Sequence, residues 1–240
     1  MYERSSARRS DDSDNLFLTL AMTYRIGFVL LLAFSAIAQT MRAWEQSAMQ
    51  TLRIFSWIVC GIYATVPAYW MMVHPFAARW RTARHKLKIL APLWVVMWCI
   101  AWATSFPWRN APLYHNAGMW IAAPLLWAVS AFMYVRGGRE LSLMRVIGKH
   151  ELEAENRQDT LITSGVHRMV RHPLYLGQFC TMLGFTLGAG TLACFALFGF
   201  ALVSGAIMID YEERELHARF GRAWEEYCER TPAIFPALRG

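Results

Sequence analysis

The chain has 240 residues, of which 56% are apolar and 17% charged, and its formal net charge at pH 7 is +7. Its 11 tryptophans and 13 methionines depart from the composition of soluble domains toward that of membrane proteins. In such a chain a positive balance belongs to the membrane topology, so it is poor evidence for nucleic-acid binding.

Six segments are long and apolar enough to span, or nearly to span, a bilayer. In chain order they lie at about 16–38, 53–74, 89–106, 117–135, 174–190 and 192–209. Only Gly188, Ala189 and Gly190 separate the last two, which predicts a tight helical hairpin. We therefore expect an all-α, multi-span integral membrane protein with about six transmembrane helices.

The lysines and arginines outside these segments predict the orientation in the membrane. The N-terminal tail, the 75–88 loop, the 136–173 loop and the tail after residue 209 hold 20 of the 24. The other connections hold only Arg42, Arg53 and Arg109. Because cytoplasmic loops carry the excess of Lys and Arg, we expect both termini and the 136–173 loop in the cytoplasm.

Three regions follow from this pattern. Residues 1–15 are polar and charged, which predicts a disordered tail. Residues 16–135 are expected to form a four-helix membrane anchor region. The polar break after Val135 opens a C-terminal functional unit, residues 136–240.

The sequence gives little support to several kinds of chemistry. The five cysteines form no C-x-x-C pair and four lie in apolar segments, which predicts reduced packing residues, and no metal site is expected. His115 is interpreted as an exposed loop histidine. The chain has no Gly-rich phosphate loop, H-E-x-x-H or G-x-S-x-G motif, so hydrolase and nucleotide-triphosphatase functions lack support.

The stretch that leads into the fifth segment, residues 160–179, carries the most promising chemistry. It includes Arg168, Arg171, His172 and Tyr175, and the pair His172-Pro173 predicts a helix start. A helix start offers unpaired N–H groups and a positive dipole end, so this stretch predicts a site for the anionic part of a ligand. The alternative is a positively charged loop that contacts lipid head groups.

A second polar cluster follows the last span. Leu216 and Phe220 continue its apolar stripe, so the helix is predicted to leave the membrane and to end at Gly221. Through the hairpin, Glu212 and Glu213 would then converge on the Arg171-His172 stretch. Glu215 is predicted to form a surface pair with Arg219. The tail after Gly221 is expected to fold back and cap the site.

These features together resemble a known family. The run TLITSGVHRMVRHPLYLG, a helical hairpin, an acidic pair and a closing TPAIFP segment resemble the isoprenylcysteine carboxyl methyltransferases and their phospholipid methyltransferase relatives. The resemblance covers about residues 152–236, and its most specific part is R-H-P-x-Y-x-G followed by the acidic pair. These relatives are multi-span membrane enzymes that use S-adenosylmethionine, so the resemblance implies a methyltransferase with this cofactor.

Carried over by position, the resemblance implies ten cofactor-binding residues: Asp159, Thr160, Leu161, Ile162, His167, His172, Pro173, Leu174, Tyr175 and Glu212. The chain departs from the family pattern at two positions. His167 stands where the family commonly has Tyr, and Met208 stands where it commonly has a substrate-side Arg. The second departure weakens the inference to a prenylated, carboxylate-bearing substrate and leaves the cofactor inference intact.

Arg171 and Glu213 are the expected catalytic residues. In methyl transfer the cofactor brings the reactivity, and the protein contributes positioning and charge complementarity. Arg171 and the helix start would hold the cofactor carboxylate. Glu213 or His172 would accept a proton from an amine or thiol acceptor, whereas a carboxylate acceptor needs no base. The expected partner is a lipophilic methyl acceptor in the membrane: a prenylated cysteine, a phospholipid amine, a small thiol or a quinone-like lipid.

Two other functions stay open at this point. Membrane sterol reductases also resemble the C-terminal unit and use NADPH, although those chains are typically longer and an acidic pair suits a cationic cofactor better. The third hypothesis is a non-catalytic membrane protein on the same scaffold.

Overall fold

The computed structural model describes residues 3–76, 79, 86–115, 117–141 and 160–235, and for 3–34, 86–87, 117 and 139–141 it describes only the helical backbone. The described residues form six α-helices: α1 Glu3–Val73, α2 Lys86–Ser105, α3 Ala122–Leu141, α4 Pro173–Ala189, α5 Leu192–Phe220 and α6 Arg222–Arg230. Apart from an isolated bridge between Pro112 and Thr191, they contain no β-structure. The expected all-α class is confirmed.

The chain divides into two units, Met1–Gln50 and Thr51–Gly240. In the first unit, helix α1 is assigned from Glu3 onward. It takes in most of residues 1–15, for which the sequence predicts a disordered tail, but their side chains lie outside the described part. The three-region division therefore stays a prediction. The helix contacts and the candidate site belong to the second unit, Thr51–Gly240.

Among the residues described with side chains, four helices are long and apolar enough to cross a membrane: Ser35–Phe76, Lys88–Trp108, Gly118–Gly138 and Leu192–Phe220. Helix α4 has 17 residues and rises about 26 Å, close to the roughly 30 Å of a hydrocarbon core. The expected integral membrane class is confirmed. The number of six spans stays a prediction, because most of the first predicted span lies where side chains are not described.

The break expected between the first two segments does not occur in the described helix. Helix α1 continues through residues 39–52, so Arg42 lies in a helix and the expectation of a connection there is wrong. These residues contain neither glycine nor proline, and most are good helix formers. A polar stretch without a helix breaker does not by itself end a helix.

The tight hairpin between α4 and α5 is confirmed. Helix α4 ends at Gly190, whose φ of 62° is in the left-handed region that glycine adopts without a steric penalty. Thr191 caps α5, because its hydroxyl accepts a hydrogen bond from Cys194 N at 3.4 Å. The 111–114 loop closes this end of the hairpin, where Leu113 N donates to Gly190 O at 2.7 Å.

Helix α4 approaches its neighbours closely through glycines. A Cβ added at Gly184 would lie 2.6 Å from Nε1 of Trp127, and one at Gly188 would lie 2.4 Å from the Trp120 ring. Trp127 belongs to α3, and α3 and α4 form the most extensive helix contact of the described chain. Small residues at such positions let two helices pack at short range in a membrane.

A side-chain hydrogen bond joins α1 to α4 where α1 contains a proline. In a regular helix the Tyr63 carbonyl would accept from the N–H of residue 67, but Pro67 has none. Gln178 of α4, 4% exposed, donates its Nε2 to Tyr63 O at 2.9 Å. The glutamine therefore supplies the donor that the proline removes, in a region where water cannot do so.

Polar contacts join α1 to the hairpin at both ends of the helices. His74, just after α1, lies with Nδ1 3.3 Å from Glu215 Oε2 of α5. At the opposite end Arg53 Nε donates to Ala189 O at 3.2 Å. Because α4 and α5 form a hairpin, the start of α4 lies at the same end as the last turns of α5.

Candidate active site

The turn before α4 is fixed by buried apolar side chains. Gly165, with φ 57°, opens the short 3₁₀ helix Gly165–Arg168. Val166 and Val170 are both buried and belong to an apolar cluster with side chains of α3 and α4. The cluster holds the polar residues of the turn at the start of α4.

Helix α4 begins as the sequence predicts, with Pro173 at the first helical position and His172 before it. Proline fits there because the first N–H groups of a helix have no partner within the helix. Pro173 is fully buried, and His172 is 5% exposed. A buried imidazole needs hydrogen-bonding partners, and α5 provides them.

Two carboxylates near the end of α5 flank His172. Its Nε2 lies 3.1 Å from Glu213 Oε1, and its Nδ1 lies 3.7 Å from Glu212 Oε2. The first contact is a hydrogen bond, whereas the atoms of the second lie too far apart for one. The convergence expected from the sequence is observed.

Arg171 forms a bidentate contact with the same oxygen of Glu213. Its Nη2 and Nε donate to Glu213 Oε1 at 2.6 and 3.0 Å. This oxygen therefore contacts both Arg171 and His172, and such charge-assisted pairs fix geometry as well as adding energy. Among the described residues none donates a hydrogen bond to Glu212, whose side chain is 32% exposed.

The rest of the Arg171 guanidinium faces the C-terminal segment. Its Nη1 donates to Thr231 O at 2.5 Å and to Cys228 O at 3.4 Å, and its Cζ lies 5.8 Å from the centre of the Trp224 ring. Only 12% of the Arg171 side chain is exposed. Its role in holding a cofactor carboxylate stays a prediction, and the structure already gives the guanidinium four hydrogen bonds within the protein.

The backbone of the C-terminal segment is joined to the same turn. Arg171 N donates to Pro232 O and His172 N donates to Ala233 O, both at 2.9 Å. Ile234 then packs against the buried apolar clusters. The tail therefore folds back over the start of α4, as the sequence leads us to expect.

Helix α6 supports this fold-back. Gly221, with φ 53°, ends α5 where the sequence predicts. Trp224 and Tyr227 are each 4% exposed, and the Tyr227 hydroxyl donates to His167 O at 2.5 Å. Burial raises the pKa of the neighbouring Cys228 thiol.

The other predicted cofactor residues lie around this cluster. The ring of Tyr175 lies edge-on to His172 with a centroid distance of 6.0 Å, and His167 is 6% exposed. Leu174, Leu161 and Ile162 are half-buried and Thr160 is exposed. Residues 160–162 form no hydrogen bond with the cluster in the described chain, and Asp159 lies outside the described residues.

Several contacts of the site were not predicted from the sequence. The carbonyls of Cys228, Thr231, Pro232 and Ala233 bind Arg171 and His172, but backbone acceptors carry no sequence signal. The TPAIFP segment predicted that the tail folds back over the site, but not which of its carbonyls would accept the hydrogen bonds. Glu215 contacts His74, because α1 ends beside the last turns of α5, and its pair with Arg219 stays a prediction.

The described residues contain no group of three or more His, Cys, Asp or Glu side chains that could hold a metal ion. The cysteines described are free thiols, with Cys60 and Cys194 buried. His115 is exposed, as expected for a loop residue.

The part of the chain that carries this site matches a known family. Residues 119–223, less than half of the chain, match the family model described as phospholipid methyltransferase. The matched stretch includes α3, the turn before α4, the hairpin and the acidic pair. The resemblance read from the sequence is confirmed for this part of the chain.

Individual relatives match shorter stretches. The protein-S-isoprenylcysteine O-methyltransferase of Schizosaccharomyces pombe is 32% identical over 84 residues, which are 35% of this chain and 36% of that protein. The nickel-cobalt-cadmium resistance protein of Alcaligenes xylosoxydans xylosoxydans is 33% identical over 124 residues, 50% of this chain and 53% of that protein. The Delta(14)-sterol reductase of Mus musculus is 37% identical over 75 residues, 30% of this chain and 18% of that protein.

The chain thus spans between 18% and 53% of the length of these relatives. No solved structure matches it.

Proposed function

We propose that this protein is a membrane methyltransferase that uses S-adenosylmethionine and acts on a lipophilic or membrane-associated acceptor. The match of residues 119–223 to the phospholipid methyltransferase family and the isoprenylcysteine O-methyltransferase relatives support the reaction class. The cluster of His172, Glu212 and Glu213 supports the location of the site.

The observation that carries the proposal is the state of Glu212. This carboxylate lies 3.7 Å from His172 Nδ1, is partly exposed, and accepts no hydrogen bond from the described residues. A carboxylate in this state fits a cationic or hydroxyl-bearing ligand, such as the ammonium or ribose of S-adenosylmethionine. The carboxylate of Glu212 therefore fits the cofactor.

Other residues would complete the cofactor site. The rings of His167 and Tyr175 are proposed to pack on the adenine, and the irregular segment 160–162 precedes them in the chain. At the start of α4, His172 N is bonded to Ala233 O and Pro173 has no N–H, so Leu174 is proposed to offer its N–H to an anionic group of the ligand. Asp159 is proposed as the first residue of this binding stretch.

When bound, S-adenosylmethionine supplies a methyl group activated by a sulfonium. The share of the protein is to hold donor and acceptor in line and to exclude water. For an amine or thiol acceptor, a base must take the proton, and this role is proposed for His172, which lies beside Glu212 and Glu213. A carboxylate acceptor needs no base.

The acceptor is proposed to approach from the bilayer. Helices α4 and α5 carry the site at their polar ends and are otherwise apolar, so an amphiphilic acceptor would present its head group there. Met208, which stands where the related enzymes commonly have a substrate-side Arg, is fully buried. It offers no charge to an acceptor carboxylate, which favours acceptors other than a prenylated cysteine.

The site is proposed to face the cytoplasm, with the C-terminus on that side. The support is the positive-inside pattern of the sequence. S-adenosylmethionine is made in the cytosol, so this orientation would give the site direct access to its cofactor.

Thermal unfolding of the detergent-purified protein tests the proposal. A ligand that binds only the folded state raises its stability, so S-adenosylhomocysteine should raise the unfolding temperature and NADPH should not. Membranes incubated with methyl-deuterated S-adenosylmethionine should then yield a labelled lipid or lipidated product by mass spectrometry. Stabilisation by neither ligand would favour a non-catalytic protein on this scaffold.

A second candidate is an NADPH-dependent membrane reductase. It is favoured by the match to the Delta(14)-sterol reductase of Mus musculus, 37% identical over 75 residues. The uncommitted carboxylate of Glu212 argues against it, because it would repel the phosphates of NADPH. Stabilisation by NADPH alone would establish this candidate in place of the methyltransferase.

A further inference from the structure

We infer that residues 228–233, here called the strap, close over the start of α4, and that Arg171 and Glu213 are positioning residues that hold the strap and His172 in place. This inference rests on the proposed function for its catalytic consequence. The geometry of the strap itself does not depend on it.

The Arg171 guanidinium is oriented toward groups of the protein. All three of its nitrogens donate within the protein: Nε and Nη2 to Glu213 Oε1, and Nη1 to the carbonyls of Thr231 and Cys228. The side chain is 12% exposed. A guanidinium used in this way ties the strap to α5, and little of it is left to bind a ligand.

The strap is attached at both ends. At its start, the Tyr227 hydroxyl donates to His167 O and the Trp224 ring lies beside Arg171. At its end, Pro232 O and Ala233 O accept from the backbone N–H groups of Arg171 and His172. Between these points the Arg171 side chain is the link that joins the strap to an acidic residue of another helix.

A single oxygen of Glu213 holds both Arg171 and His172. Glu213 Oε1 accepts from Arg171 and lies 3.1 Å from His172 Nε2. The Glu213 contact fixes the ring of His172 so that Nδ1 turns toward Glu212. Glu213 therefore acts through its neighbours, whereas Glu212 is the carboxylate left for a ligand.

The reactivity of Cys228 reports on the strap. The Cys228 thiol is partly buried, and the backbone carbonyl of Cys228 accepts a hydrogen bond from Arg171. While the strap is closed, this thiol should therefore react slowly with a water-soluble maleimide. The labelling rate at Cys228 is measured by peptide mass spectrometry on the detergent-purified full chain. The variants are Glu213→Gln, Arg171→Gln and Arg171→Lys, with Glu212→Gln and Asp210→Asn as matched controls on α5.

We expect Glu213→Gln and Arg171→Gln to raise the labelling rate about tenfold or more, because losing a charge-assisted pair populates the opened segment. Arg171→Lys keeps the charge and should give an intermediate rate. Glu212→Gln and Asp210→Asn should label at the wild-type rate, since neither residue binds the strap. An unchanged rate in Glu213→Gln, or an equal rise in Glu212→Gln, overturns the inference.

Steady-state kinetics separates positioning from base catalysis. We expect Glu213→Gln to raise the KM for S-adenosylmethionine and to keep kcat within about tenfold, whereas loss of a general base would lower kcat by about 10²–10⁴. A fall of that size with unchanged Cys228 labelling would make Glu213 a catalytic residue and overturn the assignment. If the protein transfers no methyl group, the proposed function fails while the labelling rates still decide the strap.

Discussion

Adjacent residues of the same type occupy different environments at this site. Glu213 is bound by Arg171 and His172, so its charge is compensated inside the protein. Glu212, one position earlier, faces His172 Nδ1 at 3.7 Å and keeps its hydrogen-bonding capacity. One step along a helix turns a side chain by about 100°, which is enough to separate a structural carboxylate from one that faces a ligand.

Replacing Glu212 tests its proposed role in cofactor binding. Glu212→Gln is nearly isosteric and breaks no described hydrogen bond, so the fold should be kept. It should lose a charge-assisted hydrogen bond to the cofactor, about 1.5–3 kcal/mol, which is roughly a ten- to hundredfold loss of affinity. Calorimetric titration with S-adenosylhomocysteine measures the change.

Asp210→Asn is the matched control on the same helix. Asp210 forms an exposed i,i+4 pair with Arg214, at 2.7 Å, and such pairs add little. Its affinity for S-adenosylhomocysteine should equal that of the wild type. If Glu212→Gln also binds like the wild type, the carboxylate lies on a solvated helix face and has no part in the site.

At the scale of elements, the sequence predicted the helix boundaries that single residues determine. Pro173 marks the start of α4, Gly190 the turn of the hairpin and Gly221 the end of α5, because each residue has a backbone requirement that its neighbours lack. The continuity of α1 was not predicted. Its polar stretch resembles a connection in composition, but no residue there breaks a helix.

Glycine packing along α4 gives a second prediction. Gly184→Ala places a Cβ 2.6 Å from Trp127 Nε1, so the tryptophan or the helix must shift, which should cost about 1–3 kcal/mol of stability. Gly199→Ala is the control, since a Cβ at this glycine of α5 meets nothing within 4 Å. Thermal unfolding in detergent should show a lower midpoint for the first variant only. Equal midpoints would mean that α3 and α4 are not packed as described.

The bond from Gln178 to Tyr63 gives a third prediction. Gln178→Leu leaves the Tyr63 carbonyl without its donor and should destabilise the protein by about 0.5–2 kcal/mol. In a Pro67→Ala background the helix supplies its own N–H, so the same replacement should cost at most about half as much. Reversible unfolding in detergent of the four proteins measures the coupling. Equal costs in both backgrounds would show that the glutamine does not compensate for the proline.

At the scale of the whole molecule, the candidate site was predictable as a meeting of two segments. The hairpin forces the end of α5 back to the start of α4, and this explains why Arg171, His172, Glu212 and Glu213 converge as expected. The distribution of roles among them was not predictable. It depends on carbonyl groups of residues 228–233, and every residue type offers the same carbonyl.

Membrane orientation is the last prediction, and the proposed function depends on it. Reporter fusions after Leu87, Lys149 and Gly240 should report the cytoplasm, and a fusion after Arg109 should report the opposite side. The reason is the concentration of 20 of the 24 lysines and arginines in the segments expected to be cytoplasmic. Arg42 is unsuitable as a fusion point, because it lies within helix α1.

The fusion after Lys149 is decisive. The turn before α4 follows it without an intervening apolar segment, so the reporter lies on the same side as His172 and Glu212. An outside signal there would separate these residues from cytosolic S-adenosylmethionine. The methyltransferase proposal would then fail even if Cys228 labelling showed that the strap is held by Arg171 and Glu213, because that contact does not depend on the side of the membrane.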